Sequence, residues 1–419
     1  MRARVRPDLL VFACAITARL VYFLVDRQSF VHEGWDLAGQ ILSSGTLASD
    51  GAPTTSFEPL YPLFLALSRA VMGDRPVAVQ LVQIAIASAG PVCLYHLTDA
   101  LAGRRRVALV AGLLLACDPL SIRHAAYGQT VALAATLLVA FCLAFVRSRS
   151  TSGAVVAGLL LGLSVLTRTM ALPLVALATL VWVRAGRWRE ALALAVTALT
   201  VFAPFAIRNY GLNGAWLPTR SGINLFVSTS EYTAALVPEH HPDLLVPHAM
   251  AMLARSGMAA EPLASPRQER REDAMLTRLA WENVKRQPLD QLWLRVKYVG
   301  YFFSPFLVPG RREFPAAEAD LHLGPGGRVT ITNDGRLHPW WVRALYTASF
   351  TPVLGLAVLG AVHRRQHLRP DAIVWSVLAT FVAVHAVFFP GSFYRVPMAF
   401  VLMFFAAAGA DALWRRVAA

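Results

Sequence analysis

Glu33 and Asp36 are the residues whose type and spacing first suggest chemistry. Three positions apart, they share a face wherever their segment is helical. A carboxylate just beyond an apolar segment can act as general base on an acceptor hydroxyl. From spacing alone the simpler account of the same pair is solvated charges at a helix start, where the macrodipole favours them. Spacing alone leaves both readings open. His32 beside Glu33 gives two metal-type ligands with no third at suitable spacing, so a solvated histidine is the simpler account.

A second set is basic. Arg208 and Asn209 end a long apolar stretch, and Tyr394 and Arg395 occupy a short turn between the last two apolar stretches. Guanidinium groups grip phosphate through paired hydrogen bonds. Two of them facing one cavity would suit a lipid-phosphate leaving group, whereas snorkelling arginines would merely anchor helix ends. Arg123, His124 and Arg168 fall in turns that the topology below places on the same side. No Walker loop, dinucleotide glycine fingerprint or paired CxxC is present, so nucleotide-driven chemistry has no visible site.

The elements that must position these residues are apolar. The chain has 419 residues, of which 56% are hydrophobic, with a mean hydropathy of +0.50. The apolar residues come in blocks at 9–25, 76–101, 107–117, 131–146, 154–166, 171–183, 191–207, 342–362, 372–389 and 396–414. Spanning a bilayer takes about 20 apolar residues per helix. Backbone groups in lipid must be satisfied internally, so helices are expected. The fold class is therefore an all-α polytopic membrane protein. Arg2, Arg4 and Arg6 precede the first block, which Arg19 interrupts and no small-residue cleavage site follows. That start reads as a retained first helix rather than a signal peptide.

The net charge of +14 collects beside the apolar blocks, at 104–106, 147 and 149, 184–189, 364–369 and 415–416. This is the positive-inside pattern and marks the cytoplasmic side. It argues against a nucleic-acid partner, since no basic patch is interleaved with aromatics. The four cysteines lie within apolar blocks, at spacings that suggest neither a metal site nor a disulfide framework.

With the basic clusters inside, three regions follow. Residues 1–207 form an N-terminal transmembrane module whose first outer loop is 26–75. Residues 208–341 form a large outer region, and 342–419 form the C-terminal transmembrane helices. In the first loop, 32–42 reads as an amphipathic helix and 45–55 as a loop. The Pro-started stretch 57–71 reads as a second membrane-lying helix. Segment 291–309 holds Arg295 and Lys297, and parity denies it a crossing, so it reads as interfacial or re-entrant. No internal repeat is visible, against a transporter built of repeated halves.

The order of short motifs resembles the GT-C-type membrane glycosyltransferases. They run "WDLAGQILSSG", "EPLYPLFLAL", "LYHLTDALAGRRR", a "DP" turn, "LTRT", "APFAIRNYGLNG", "SGINLF" and "FYRVPMAFVLMFFAAAGA". The chain looks most like the bacterial branch related to protein O-mannosyltransferases and the aminoarabinose transferase of lipid A. The resemblance implies about 10–11 transmembrane helices with juxtamembrane helices in the first outer loop. It implies a polyprenyl-phosphate sugar donor and a lipid, glycan or protein acceptor at the outer face of a bacterial inner membrane. It implies a first-loop carboxylate as the catalytic group, with Glu33 the better match and Asp36 the second. It further implies that Arg208 and Arg395 contact the donor phosphate or shape its cavity, and that Tyr61 lines the site mouth. Inversion at the anomeric carbon belongs to the same implication. Where many relatives carry Glu before the fourth helix, this chain has Gln129. That departure, and the missing Asp-Glu pair, leave open an inactive scaffold of the same fold. A flippase of lipid-linked sugars is the other alternative. Some relatives bind a divalent cation; the missing carboxylates weaken that case here.

Overall fold

The computed structural model describes residues 6–26, 34–49, 51–258, 265–310, 320–332 and 337–418. Every apolar block expected to be helical is helical. The first is α1 (Pro7–Val25), with proline at its start and Asp8 in its first turn. The first outer loop carries α2 (Trp35–Ser44) and α3 (Leu60–Met72), close to the two helices expected there. A two-residue antiparallel ladder, Ala48–Ser49 with Ala52–Pro53, sits between them. Then come α4 (Pro76–Ala102), α5 (Arg105–Ala116), α6 (Pro119–Ala126), α7 (Thr130–Arg147), α8 (Thr151–Thr167), α9 (Pro173–Arg184) and α10 (Trp188–Asn213).

The block at 107–117 does not cross as one straight helix. Asp118 caps a new helix, its side chain accepting from the Ser121 N–H at 2.9 Å, and Pro119 occupies that helix's first turn. The chain therefore bends by 51° between α5 and α6. The outer turn expected at 118–130 is largely the helix α6.

The outer region holds α11 (Ser221–Thr229), α12 (Thr233–Leu236), α13 (Val246–Arg255), α14 (Pro266–Arg286) and α15 (Pro288–Phe302). It also holds an antiparallel hairpin, Asp320–Gly324 with Arg328–Thr332, that the helical reading missed. Its signal was the alternation in "DLHLGPGGRVTIT", with a Gly-Pro-Gly-Gly turn at the centre. The chain ends with α16 (Trp340–Arg364), α17 (Ala372–Val387) and α18 (Ala399–Ala418). Among the described residues six helices are long and apolar enough to cross a bilayer, or seven if α5 and α6 count as one bent span. The helices α3, α8 and α17 are apolar but shorter, at 10–17 residues, as is α9 together with the turn before it.

α15 falls in the segment read as interfacial. Gln291, Leu294, Tyr298 and Phe302 face inward, whereas Leu289, Leu292, Trp293 and Val296 are exposed. The spacing of the two sets is that of a two-sided helix.

The basic ends of the helices meet at one end of the bundle. Arg104 pairs with Asp411 at 3.2 Å, Arg187 donates to the Ser148 carbonyl at 3.1 Å, and Arg364 donates to the Leu101 carbonyl at 3.1 Å. The first outer loop and α11–α15 lie at the other end. Between them runs one large apolar core, with a smaller one among α11–α15.

Small residues let the helices close up, as in many membrane bundles. Gly158 and Gly162 of α8 face α10. A β-carbon on Gly162 would sit 2.7 Å from Val201 Cβ and 2.9 Å from the Ala198 carbonyl. Gly162→Ala is expected to cost about 1–3 kcal/mol through overpacking, seen as a lower melting temperature in detergent. Gly211→Ala on α10, where a β-carbon meets nothing within 4 Å, serves as the control.

Candidate active site

The site must be built around the first outer loop. α2 starts at Trp35, after Gly34 in a left-handed conformation (φ 87°). Asp36 lies in the first turn of α2, where the helix dipole favours an anion. Its side chain is exposed and no ion pair or hydrogen bond engages it among the described residues. His32 and Glu33 lie outside the described residues.

The loop is fixed along its length by other elements. Arg69 of α3 donates to the Trp35 carbonyl at 2.8 Å and stacks on the Trp35 ring at 4.4 Å. Arg208, one turn before the end of α10, donates from Nη2 to the Leu47 carbonyl (2.7 Å) and from Nη1 to the Thr54 carbonyl (2.9 Å). Asn209 is fully buried beside it and accepts from Arg208 at 3.2 Å. Arg208 thus spends both terminal nitrogens on loop backbone. Farther on, Glu58 accepts from the Thr169 N–H (3.1 Å) and hydroxyl (2.9 Å), tying the loop to the turn after α8.

A second neighbourhood is the turn from α6 into α7. Three of its carbonyls, those of Ala126, Gly128 and Gln129, accept from side chains. Gln80 of α4 donates to the Ala126 carbonyl at 2.9 Å, and Gln83 donates to the Gln129 carbonyl at 2.8 Å. The Tyr61 hydroxyl donates to the Gly128 carbonyl and, at 3.0 Å, lies against Gln83 Oε1. Tyr61, expected at the mouth, is only 2% exposed. It works as a strut between α3 and this turn. Gln129 pairs its side-chain carbonyl with His124 Nδ1. Arg123 lies over the Tyr127 ring at 5.2 Å, and no hydrogen-bond acceptor engages it among the described residues.

Asp26 joins this turn to α1. One of its oxygens accepts from Tyr22 and from Tyr127, each at 2.6 Å. The sequence reading opened the loop at Asp26 without weighing it. Its signal was plain: a carboxylate directly after the first apolar block.

A third neighbourhood surrounds the last outer turn, a tight 3-10 stretch over Ser392–Met398. Arg395 is 2% exposed. Its Nη1 donates to the Phe302 and Ser304 carbonyls at the end of α15, both at 2.9 Å, and it lies 4.0 Å over the Phe350 ring. It lines a small cavity of about 10 Å³ together with Asp118. Tyr394 packs against Phe393 and His385, with Arg168 5.8 Å over its ring.

The expected residues therefore fall into three neighbourhoods on one end of the bundle. His124 and Phe393, 6.0 Å apart, connect the second with the third. No described contact joins Asp36 to Arg123, Arg208 or Arg395. Among the described residues no three of His, Cys, Asp and Glu come together as a metal-binding group. The described residues thus supply no donor set for the divalent cation. Glu58 and Glu269 escaped the sequence reading because nothing local distinguishes a loop-holding carboxylate from a solvated one.

Residues 53–207 match the family model described as dolichyl-phosphate-mannose-protein mannosyltransferase. Among curated proteins none matches by sequence. Among solved structures, the chain is similar to the archaeal oligosaccharyltransferase AglB from Archaeoglobus fulgidus, in complex with an inhibitory peptide and a dolichol-phosphate. The TM-score is 0.54 at 14% identity, over 98% of this chain and 50% of that one. The apo form of the same enzyme gives 0.53 at 14% identity, over 98% and 51%. ArnT from Cupriavidus metallidurans bound to undecaprenyl phosphate gives 0.40 at 16% identity, over 96% and 78%. The chain spans about half the length of the archaeal enzyme it matches. The chain therefore has the all-α polytopic GT-C-type membrane fold.

Proposed function

We propose that the protein moves a sugar from a polyprenyl-phosphate donor to a lipid, glycan or protein acceptor. The reaction takes place at the outer face of the cytoplasmic membrane of a bacterium, with the basic ends of the helices inside. The observation that carries this reading is the shared fold over 98% of the chain with an oligosaccharyltransferase solved with dolichol-phosphate.

In this reading Glu33 takes the proton of the acceptor hydroxyl, with Asp36 the second candidate. The hydroxyl oxygen attacks the anomeric carbon, the bond from that carbon to the phosphate oxygen breaks, and the configuration inverts. Cations already in place stabilise the departing lipid phosphate. Arg123, whose donors have no protein acceptor among the described residues, fits that task best. Arg208 contributes by holding the loop. Arg395 and Tyr394 shape the wall formed by the last outer turn. The outer region 208–341 is the natural place for acceptor choice, because it lies on the same end as the loop.

The test supplies membranes carrying wild type, Glu33→Gln or Asp36→Asn with radiolabelled polyprenyl-phosphate sugar and native acceptors. Loss of a general base lowers turnover by about 10²–10⁴-fold. That loss is expected in Glu33→Gln, with a smaller effect in Asp36→Asn. Unchanged transfer in both variants sinks the carboxylate mechanism. A wild type that moves the lipid-linked sugar across the bilayer without transferring it would make the protein a flippase.

A further inference from the structure

One carboxylate of the outer region reaches into the first outer loop. Glu269 lies in the first turn of α14 and accepts four hydrogen bonds. Thr54 Oγ1 donates to its Oε1 at 2.6 Å, and Thr55 donates to its Oε2 from Oγ1 (2.6 Å) and from the backbone N–H (2.8 Å). Thr219 Oγ1 lies 3.3 Å from the same oxygen. The two loop threonines are buried, at 2% and 0% exposure. Asn213, at the end of α10, donates to Thr55 Oγ1 at 2.7 Å. That hydroxyl therefore gives its one proton to Glu269 and accepts from Asn213, and its second lone pair faces the Thr219 hydroxyl 2.8 Å away.

The same two turns of α14 hold other pieces in place. Arg270 donates to the Asn213 carbonyl at 2.8 Å, and Asp273 accepts from the Gly222 N–H at 2.5 Å. The first outer loop, the end of α10 and the start of α11 thus converge on one helix start. Opposite the Glu269 contacts, Arg208 holds the carbonyl of Thr54. Segment 54–55 is gripped on both sides.

We propose that Glu269 is a positioning residue for sugar transfer. Its carboxylate locks residues 54–55 of the catalytic loop to α14, so that the outer region and the loop move as one. This rests on the glycosyltransferase reading above. Removing the carboxylate strands a buried backbone N–H and two buried hydroxyl donors. Glutamine is a milder change, because its amide oxygen still serves the Thr55 N–H while its NH₂ faces a hydroxyl that can accept.

The test uses the full-length protein in lipid nanodiscs, with Glu269→Ala, Glu269→Gln, Thr55→Val and the double variant Glu269→Ala/Thr55→Val. Hydrogen exchange over residues 52–58 should quicken at least tenfold in Glu269→Ala and less in Glu269→Gln. In the transfer assay kcat should fall at least tenfold, with donor KM within threefold of wild type. Adding Thr55→Val to Glu269→Ala should lower kcat no further than twofold. Unchanged exchange overturns the proposal, and so does faster exchange with unchanged kcat or a loss confined to KM. If Glu269→Ala fails to fold, Glu269→Gln and Thr55→Val carry both readouts. A wild type that transfers nothing refutes the function and with it the positioning role of Glu269 in transfer. The exchange arm then still shows whether the clasp itself exists.

Discussion

Replacing Arg395 by methionine will destabilise the protein by about 3 kcal/mol or more and abolish its activity. The side chain is buried, and Nη1 alone serves two carbonyls, those of Phe302 and Ser304. Both lie where α15 ends, so they lack the partners that a continuing helix would supply. Methionine fills much of the volume and leaves both acceptors unpaired in an apolar setting. It also removes one of the two cations that face Asp118, the other being Arg19. The last outer turn would come loose from α15, carrying Tyr394 with it. Arg395→Lys separates charge from geometry. An ammonium keeps the charge but cannot match the planar fork against two carbonyls and the Phe350 ring. Its melting temperature in detergent is expected between those of wild type and Arg395→Met. A methionine variant that melts with the wild type would show that the buried contacts do not hold this turn.

This result bears on how the sequence is read. "FYRVP" marks an arginine in a turn placed outside, against the positive-inside pattern, and that anomaly singles out Arg395. The chemistry first suggested for it was phosphate recognition. In the structure Nη1 is spent on the protein's own backbone, while Nη2 is buried without a hydrogen-bond partner. Arg208 shows the same thing more completely, with both terminal nitrogens on loop carbonyls. A guanidinium pattern says that planar acceptors are near; it does not say whose they are.

The helices were legible for a different reason. Apolar blocks of the right length leave the backbone no other way to satisfy itself in lipid. The bend at Asp118 was written in the "DP" pair but outweighed by the apolar run before it. The hairpin at Asp320–Gly324 and Arg328–Thr332 was short and lay in a polar region, where composition carries little signal. The site was the least legible part. The pair Thr54–Thr55, Asn213 and Glu269 are far apart in sequence, and each alone has the look of an ordinary surface residue. What makes them a unit is burial, which sequence does not report for threonines.

The other large effect is expected at the opposite end of the bundle. Arg364 at the end of α16 meets Asp371 through two hydrogen bonds, Nε to Oδ2 at 2.5 Å and Nη2 to Oδ1 at 2.6 Å. Asp371 is fully buried and Arg364 is 7% exposed. Nη2 also reaches the Leu101 carbonyl, and the guanidinium lies 5.0 Å over Phe404. One ion pair therefore ties together the ends of α4 and α16, the start of α17 and the face of α18. Breaking a buried pair from one side costs about 3–5 kcal/mol, because the remaining charge is left without a partner. Asp371→Asn should show that loss in reversible unfolding in detergent. Replacing both residues, by Arg364→Met with Asp371→Leu, removes the stranded charge and should cost less than Asp371→Asn alone. A double variant worse than the single would mean that the pair contributes through the Leu101 and Phe404 contacts rather than through its charges. Because this knot lies at the basic end, away from the first outer loop, Asp371→Asn should lower the amount of folded protein while each folded molecule keeps its kcat. That separates it from Glu269→Ala, for which the loss is expected in kcat itself.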